Sequence, residues 1–199
     1  MPNTEDLRYV RTEAAIRSAF MELVREAPVA SVTASAVCRR AGISRNAFYL
    51  HHTSVAALYT AMVDELLDDM HDACHASARR ISASGELDEV FVPSILSVLA
   101  RHETLLRALL PSDDGTIAKC LADGISDAYA DAAFVFDEQG GSLEFRLCCA
   151  FSAWALLGAL QRWLELTNQP ISKMMPYLSE FQLDVQAEAT RCLIGCEDS

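Results

Sequence analysis

The sequence predicts an all-α fold, and three observations carry that expectation. Ala and Leu are abundant while six prolines and eight glycines are few for 199 residues, a balance that favours helix. Apolar residues recur three or four apart along most of the chain, the period of an amphipathic helix. The interruptions are short and rich in Pro, Gly, Asn and Ser, residues that stop helices. The sequence offers no convincing strand pattern, internal repeat or low-complexity run.

The first helix is expected over 5–27, where Ala15, Ile16, Ala19, Phe20, Leu23 and Ala27 keep helical spacing until Pro28 ends it. Thr33 is the expected N-cap of a second helix, which turns Val37 and Ala41 inward and stops at Gly42. Ser44 caps a third, short helix over 45–51. Two short helices joined by Ala41-Gly42-Ile43-Ser44 behind a longer supporting helix have the layout of a helix-turn-helix. A long amphipathic helix follows over 54–80 and ends at the polar stretch SASG. Further helices are expected over 86–100, 103–110, 115–137, 142–167 and 172–194. The breaks between them fall at Pro111-Ser-Asp-Asp-Gly, Gly140-Gly141 and Asn168-Gln-Pro170. The chain thus reads as about nine helices, in a three-helix domain over 1–52 and a six-helix domain over 53–199.

With 51% hydrophobic and 22% charged residues, the chain has the composition of a folded globular protein. Its net charge of −12 argues against nucleic-acid binding when taken alone, but charge is unevenly placed. Residues 1–52 hold seven arginines against five acids, whereas the rest holds nine basic and 23 acidic residues. Only the N-terminal part lacks the acidic excess that repels phosphate. Seven irregularly spaced cysteines without a signal-peptide pattern suit a reducing cytoplasm, where the chain is expected. No apolar run approaches the ~20 residues of a membrane span, and no membrane partner is expected.

The stretch CRRAGISRNAFYLHH, beginning at Cys38, admits two chemistries. Its histidines suggest a catalytic or metal cluster; its turn and caps suggest a reading helix. The catalytic option lacks support: the sequence has no Gly-rich phosphate loop, nucleophile elbow or Cys-x-x-Cys pair, and no convergent acid, base and nucleophile. No enzymatic role and no cofactor are expected. A second cluster, His71, Cys74 and His75, has i, i+3, i+4 spacing that shares one helix face. It is a candidate for a soft or borderline metal, set against the plainer reading of a half-exposed polar face with a packed cysteine. Cys148-Cys149 reads as small core residues.

Near the C-terminus, FRLCCAFSAWALLGALQRWLEL is apolar or small on nearly every face, so such a helix must be covered all round. In the helix after it, Leu178, Phe181, Val185, Ala189 and Cys192 form one apolar stripe. The economical expectation is that this pair meets its own copy in a two-fold four-helix bundle; the alternative is a core helix pair within one chain. The bundle interface would use Phe151, Trp154, Ala155, Gly158, Leu178, Phe181 and Val185.

VTASAVCRRAGISRNAFYLHHTSVAALY resembles the DNA-binding signature of the TetR/AcrR family of bacterial transcriptional regulators. The matching positions are Thr33, Ala41-Gly42-Ile43-Ser44, Phe48-Tyr49-Leu50-His51 and Leu58. AWALLGALQRWLELTNQPISKMMPYL is similar to that family's dimer-forming helices, whereas residues 60–140 match nothing specific. The resemblance implies a homodimeric repressor that binds palindromic operator DNA and is released by a small molecule held in the C-terminal domain. It places Thr33 and Ser44 at phosphates and Arg45 and Asn46 at base edges, with Arg suited to guanine and Asn to adenine. Ala47 would meet a thymine methyl, and Tyr49 and His51 the DNA backbone. Phe48 is expected inside, Leu50 on either side, and His52 against the first helix. The family often carries a lysine just after this motif; here the chain reads Thr53-Ser54-Val55 with no Lys or Arg until Arg79. Thr53 or Ser54 would cap the next helix there, and fewer phosphate contacts are implied.

For the effector, no motif fixes a chemistry. The pocket candidates are Leu66, Met70, Phe91, Leu99 and Trp154, with His71 and Tyr129 as polar contacts, and each apolar one is equally a core residue. Met62, Ile95, Leu121 and His102 belong to the same wider set. Two rivals remain: an acidic all-helical protein-interaction module, and a metal-sensing repressor using His71, Cys74 and His75.

Overall fold

The computed structural model describes residues 4–84, 88–110, 115–134, 143–174 and 177. Among them are eight α-helices and no strand: α1 Thr4–Glu26, α2 Ala34–Ala41, α3 Arg45–His51, α4 Val55–Ser84, α5 Asp88–Arg101, α6 Glu103–Leu109, α7 Thr116–Phe134 and α8 Leu143–Leu166. Short 3₁₀ turns stand at Val29–Ser31 and Ile171–Lys173. The all-α class is as expected; most of the segment expected as a ninth helix, 172–194, lies outside the described residues, with Leu178, Phe181 and Val185. No described helix is long and apolar enough to cross a membrane.

Contacts divide the chain into two compact units, Met1–Glu65 and Leu66–Ser199, so the division falls inside α4. In the first unit α1 packs on α2 and α3. Its core joins Ile16, Phe20 and Val24 of α1 with Val37, Phe48 and Leu58, all buried. The side chains that start α2, α3 and α4 do the same job: Thr33, Ser44 and Ser54 each accept the backbone N–H three residues on, at 3.2, 3.1 and 3.0 Å. Each supplies a partner for an N–H group that a helix start leaves open. Between α2 and α3, Gly42 takes φ 68°, ψ 31°, a left-handed conformation that costs other L-residues about 1–2 kcal/mol. Its N–H and that of Ile43 both reach the Cys38 carbonyl, which ends α2 and turns the chain into α3.

In the second unit α7 lies along α8, and α5 packs on α6 and on the turn at Ile171–Lys173. Leu66, Ile95, Leu99, Leu106, Leu121, Ile125, Leu156 and Leu160 fill the core. The end of α8 is held by a polar clamp. Arg107 donates to Glu103 at 2.8 Å, to the Thr167 carbonyl at 3.0 Å and to the Gln169 carbonyl. The second oxygen of Glu103 accepts the Ile171 N–H at 2.9 Å, and the Trp163 indole N–H donates to Gln169 at 3.1 Å. One arginine therefore serves carbonyls that would otherwise be stranded beyond a helix C-terminus. Replacing Arg107 by Ala is expected to cost about 2 kcal/mol, the scale of charge-assisted hydrogen bonds, and to lower Tm by about 4–8 °C. Arg162→Ala, which removes an exposed i,i+3 pair with Glu165, should shift stability by less than about 1 kcal/mol in the same urea or thermal titration.

Candidate nucleic-acid interface

α3 is seven residues long and sits on the first unit by its inner face. Phe48 is fully buried, which leaves Arg45, Asn46, Tyr49 and Leu50 exposed on the opposite side. Leu50, open to either side on sequence grounds, is 80% exposed. Ala47 is half-buried, and Thr33, Ser44 and Thr53 are exposed. The Thr33 and Ser44 oxygens already accept N–H groups, and each hydroxyl retains its O–H to donate.

His51 departs from the expectation that it reaches the DNA backbone. Its side chain is only 4% exposed, and its Nδ1 lies 2.9 Å from a Glu13 carboxylate oxygen. The Tyr9 ring stacks on it at 3.9 Å between centroids. His52 Nε2 meets the same carboxylate at 3.0 and 3.1 Å, against the first helix, and Arg17 donates to it at 2.7 Å. The two histidines that raised the catalytic question are thus engaged by one carboxylate of α1. They pin the end of α3 and leave no imidazole open to a phosphate. Arg17 also pairs with Glu65.

A similar fate befalls Arg40. Its guanidinium is bidentate on Glu26 at 3.0 Å, with Glu22 at 3.1 Å. Arg8, Arg11, Arg25, Arg39 and Arg45 are exposed and make no ion pair among the described residues. Glu13, Glu22 and Glu26 are thus each paired with a cation of the same unit, and among the described residues these five arginines remain exposed. Sequence reasoning missed Glu13, Tyr9 and Arg40 as organisers of this face. The only local signal was the i,i+4 spacing of Glu13 and Arg17.

The second unit holds a cavity of about 500 Å³ between α4 and α7, lined by Met70, His71, Cys74 and His75 on one wall and Cys120, Leu121, Gly124 and Asp127 on the other, with Leu67 and Asp68. Of the expected pocket residues it includes Met70 and His71. Leu66 and Leu99 are instead wholly enclosed in the core, and Trp154 stands 48% exposed on α8, so these three do not line it. The side chains of Phe91 and Tyr129 lie outside the described ones.

The metal candidate of three residues does not converge. The buried stripe of α4 runs through Leu58, Met62, Leu66, Met70, Cys74 and Ser77. His71 and His75 each follow that stripe by one residue, which is 100° round the helix. Cys74 faces the core, where burial pushes its thiol up to about 12, while the histidines are exposed with Nε2 atoms 2.9 Å apart. Among the described residues no group of three or more His, Cys, Asp or Glu side chains is placed to hold a metal ion.

On α8, Cys149, Ala153, Leu156, Leu157 and Leu160 are buried. Leu143, Leu147, Phe151, Trp154, Ala155 and Gly158 are exposed, with Phe151 at 64%. The helix is apolar or small on nearly every face, but only one side of it is covered within the described residues.

The Glu13 cluster carries a pH prediction. Burial raises that carboxyl, but the Arg17 hydrogen bond and the charge and hydrogen bond of His52 outweigh it and hold it below its ordinary 4.5. A carboxyl with a lowered folded pKa stabilises the fold above its unfolded value and loses that contribution as pH falls through the folded one. In urea unfolding, wild-type stability should therefore fall as pH drops below 4.5. Glu13→Gln should be less stable at neutral pH and decline less steeply in acid.

No protein-family model matches the chain.

Proposed function

We propose that the chain is a ligand-responsive transcriptional regulator, a repressor, that binds palindromic operator DNA as a homodimer through α2 and α3. The observation that carries this reading is the seating of α3. Phe48 is buried beneath it, and Arg45, Asn46 and Tyr49 stand outward on a helix entered through a glycine turn. A helix offered in this way fits the major groove, where Arg and Asn distinguish bases by paired hydrogen bonds. Exposed Arg39, Arg25 and Arg8 supply charge for phosphate on the same unit. The likeness of the turn and helix residues to the TetR/AcrR signature supports the same reading.

The exposed apolar side of α8 supports the homodimer. Leu147, Phe151, Trp154 and Gly158 follow one another at spacings of four, three and four, and such a stripe is unfavourable in water unless something covers it. A second copy covers it with an identical stripe. The cavity between α4 and α7 is the candidate effector site. Asp68 and Asp127 in its lining favour a neutral or cationic small molecule.

The exposure of Tyr49 and Leu50 also suits a second reading, an acidic helical module that docks a protein through α3. Gel-shift with the chain's own upstream DNA separates the two. On the DNA reading, Arg45→Ala weakens binding by about 1–3 kcal/mol, roughly 5–150-fold, and relaxes preference at one base pair. Unchanged affinity would remove Arg45 from the interface, and no shift with wild-type protein would favour the protein-docking module. For the dimer, sedimentation at micromolar concentration should give twice the chain mass of 21.8 kDa. Phe151→Asp with Trp154→Asp should give the single-chain mass.

A further inference from the structure

We propose that His71 and His75 form a two-nitrogen site for a divalent late-transition cation, copper(II) or nickel(II), at the wall of the α4–α7 cavity. The two rings stand four residues apart on α4, one turn above the other. Their Nε2 atoms are 2.9 Å apart and their ring centroids 4.2 Å apart. Two nitrogens each about 2.05 Å from one ion stand about 2.9 Å apart when they subtend a right angle, and about 3.3 Å apart in a tetrahedron. The rings stand in hydrogen-bond contact at this separation, and an ion replacing the shared proton would meet the two nitrogens at the spacing of neighbouring ligands in a square-planar or octahedral shell. Copper(II) and nickel(II) adopt those geometries with nitrogen and oxygen donors, whereas zinc favours the tetrahedron.

The surroundings fit a cation. Both rings are exposed, so the ion keeps water in its remaining positions and little desolvation opposes binding. Asp68 and Asp127 line the same cavity, and the Asp72 carboxylate lies 3.9 Å from Nδ1 of His71; all three place negative charge near the ion. Across the cavity Gly124 has no side chain, and a Cβ built on it would meet nothing within 4 Å, which leaves room for the open half of the shell. Cys74 borders the same cavity but is buried with the core stripe of α4, so the two exposed imidazoles are the donors offered to the ion. His51 and His52 do not compete, because Glu13 holds both. The site is independent of the DNA reading, because metal binding is measured on the free protein.

The test is titration of the full chain with copper(II), nickel(II) and zinc(II) chlorides by calorimetry, with electron paramagnetic resonance of the copper form. The expected result is one copper per chain, a spectrum split by imidazole nitrogens, and copper bound more tightly than zinc. His71→Ala and His75→Ala should each weaken copper at least about tenfold, and the double variant should lose the site, while Cys120→Ser retains it. Circular dichroism of these surface variants checks the fold, and the wild-type copper spectrum reports the ligands without any substitution. The proposal is overturned if the copper spectrum lacks imidazole nitrogen, if zinc binds as tightly as copper, if the double variant keeps its copper, or if Cys120→Ser loses it.

Discussion

A seven-residue helix does not hold itself together in water, because the cost of nucleation outweighs the few hydrogen bonds it closes. α3 exists because it is held from outside. Phe48 at its centre is removed from solvent by α1 and α2, a burial worth about 1.5–3 kcal/mol. At its start Ser44 supplies a cap, and at its end His51 and His52 meet Glu13. The three restraints act along the whole length of the helix and leave one face untouched. Every property proposed for that face, whether it reads bases or docks a protein, follows from its being presented on a rigid support.

What could be read from the sequence was what short range determines. The glycine turn, the Thr33 and Ser44 caps and the inward Phe48 all depend on residues within about one turn of each other, so spacing was enough. The long-range partners were not accessible in the same way. Glu13 lies 38 residues before His51, and Arg107 reaches carbonyls 57 to 62 residues ahead. Nothing local marks either pairing. The family resemblance implies that His51 meets the DNA backbone, but no resemblance over a short motif registers a carboxylate from another helix, and here Glu13 takes the ring.

α4 and α8 show a different limit, that of periodicity. On α4 the spacing of His71, Cys74 and His75 placed them on one face, but it could not say where the core cuts that face. The cut falls between Cys74 and its neighbours, since the buried stripe advances through Met70 and Cys74. On α8 the uniform apolar pattern signalled that every side needs cover. It held no information on which side α7 would take, and hence which would stay uncovered among the described residues.

The open stripe on α8 has a consequence for dose. If a second copy completes that surface, as proposed, assembly becomes a matter of mass action, and stability rises with the amount of chain present. On the proposed reading, two recognition helices engage DNA only when two chains have met. Below the dimer dissociation constant, occupancy of an operator would then grow as the square of the chain's concentration rather than in proportion to it. A few aromatic and aliphatic side chains on one helix would thereby set the threshold at which a cell's supply of the protein begins to act.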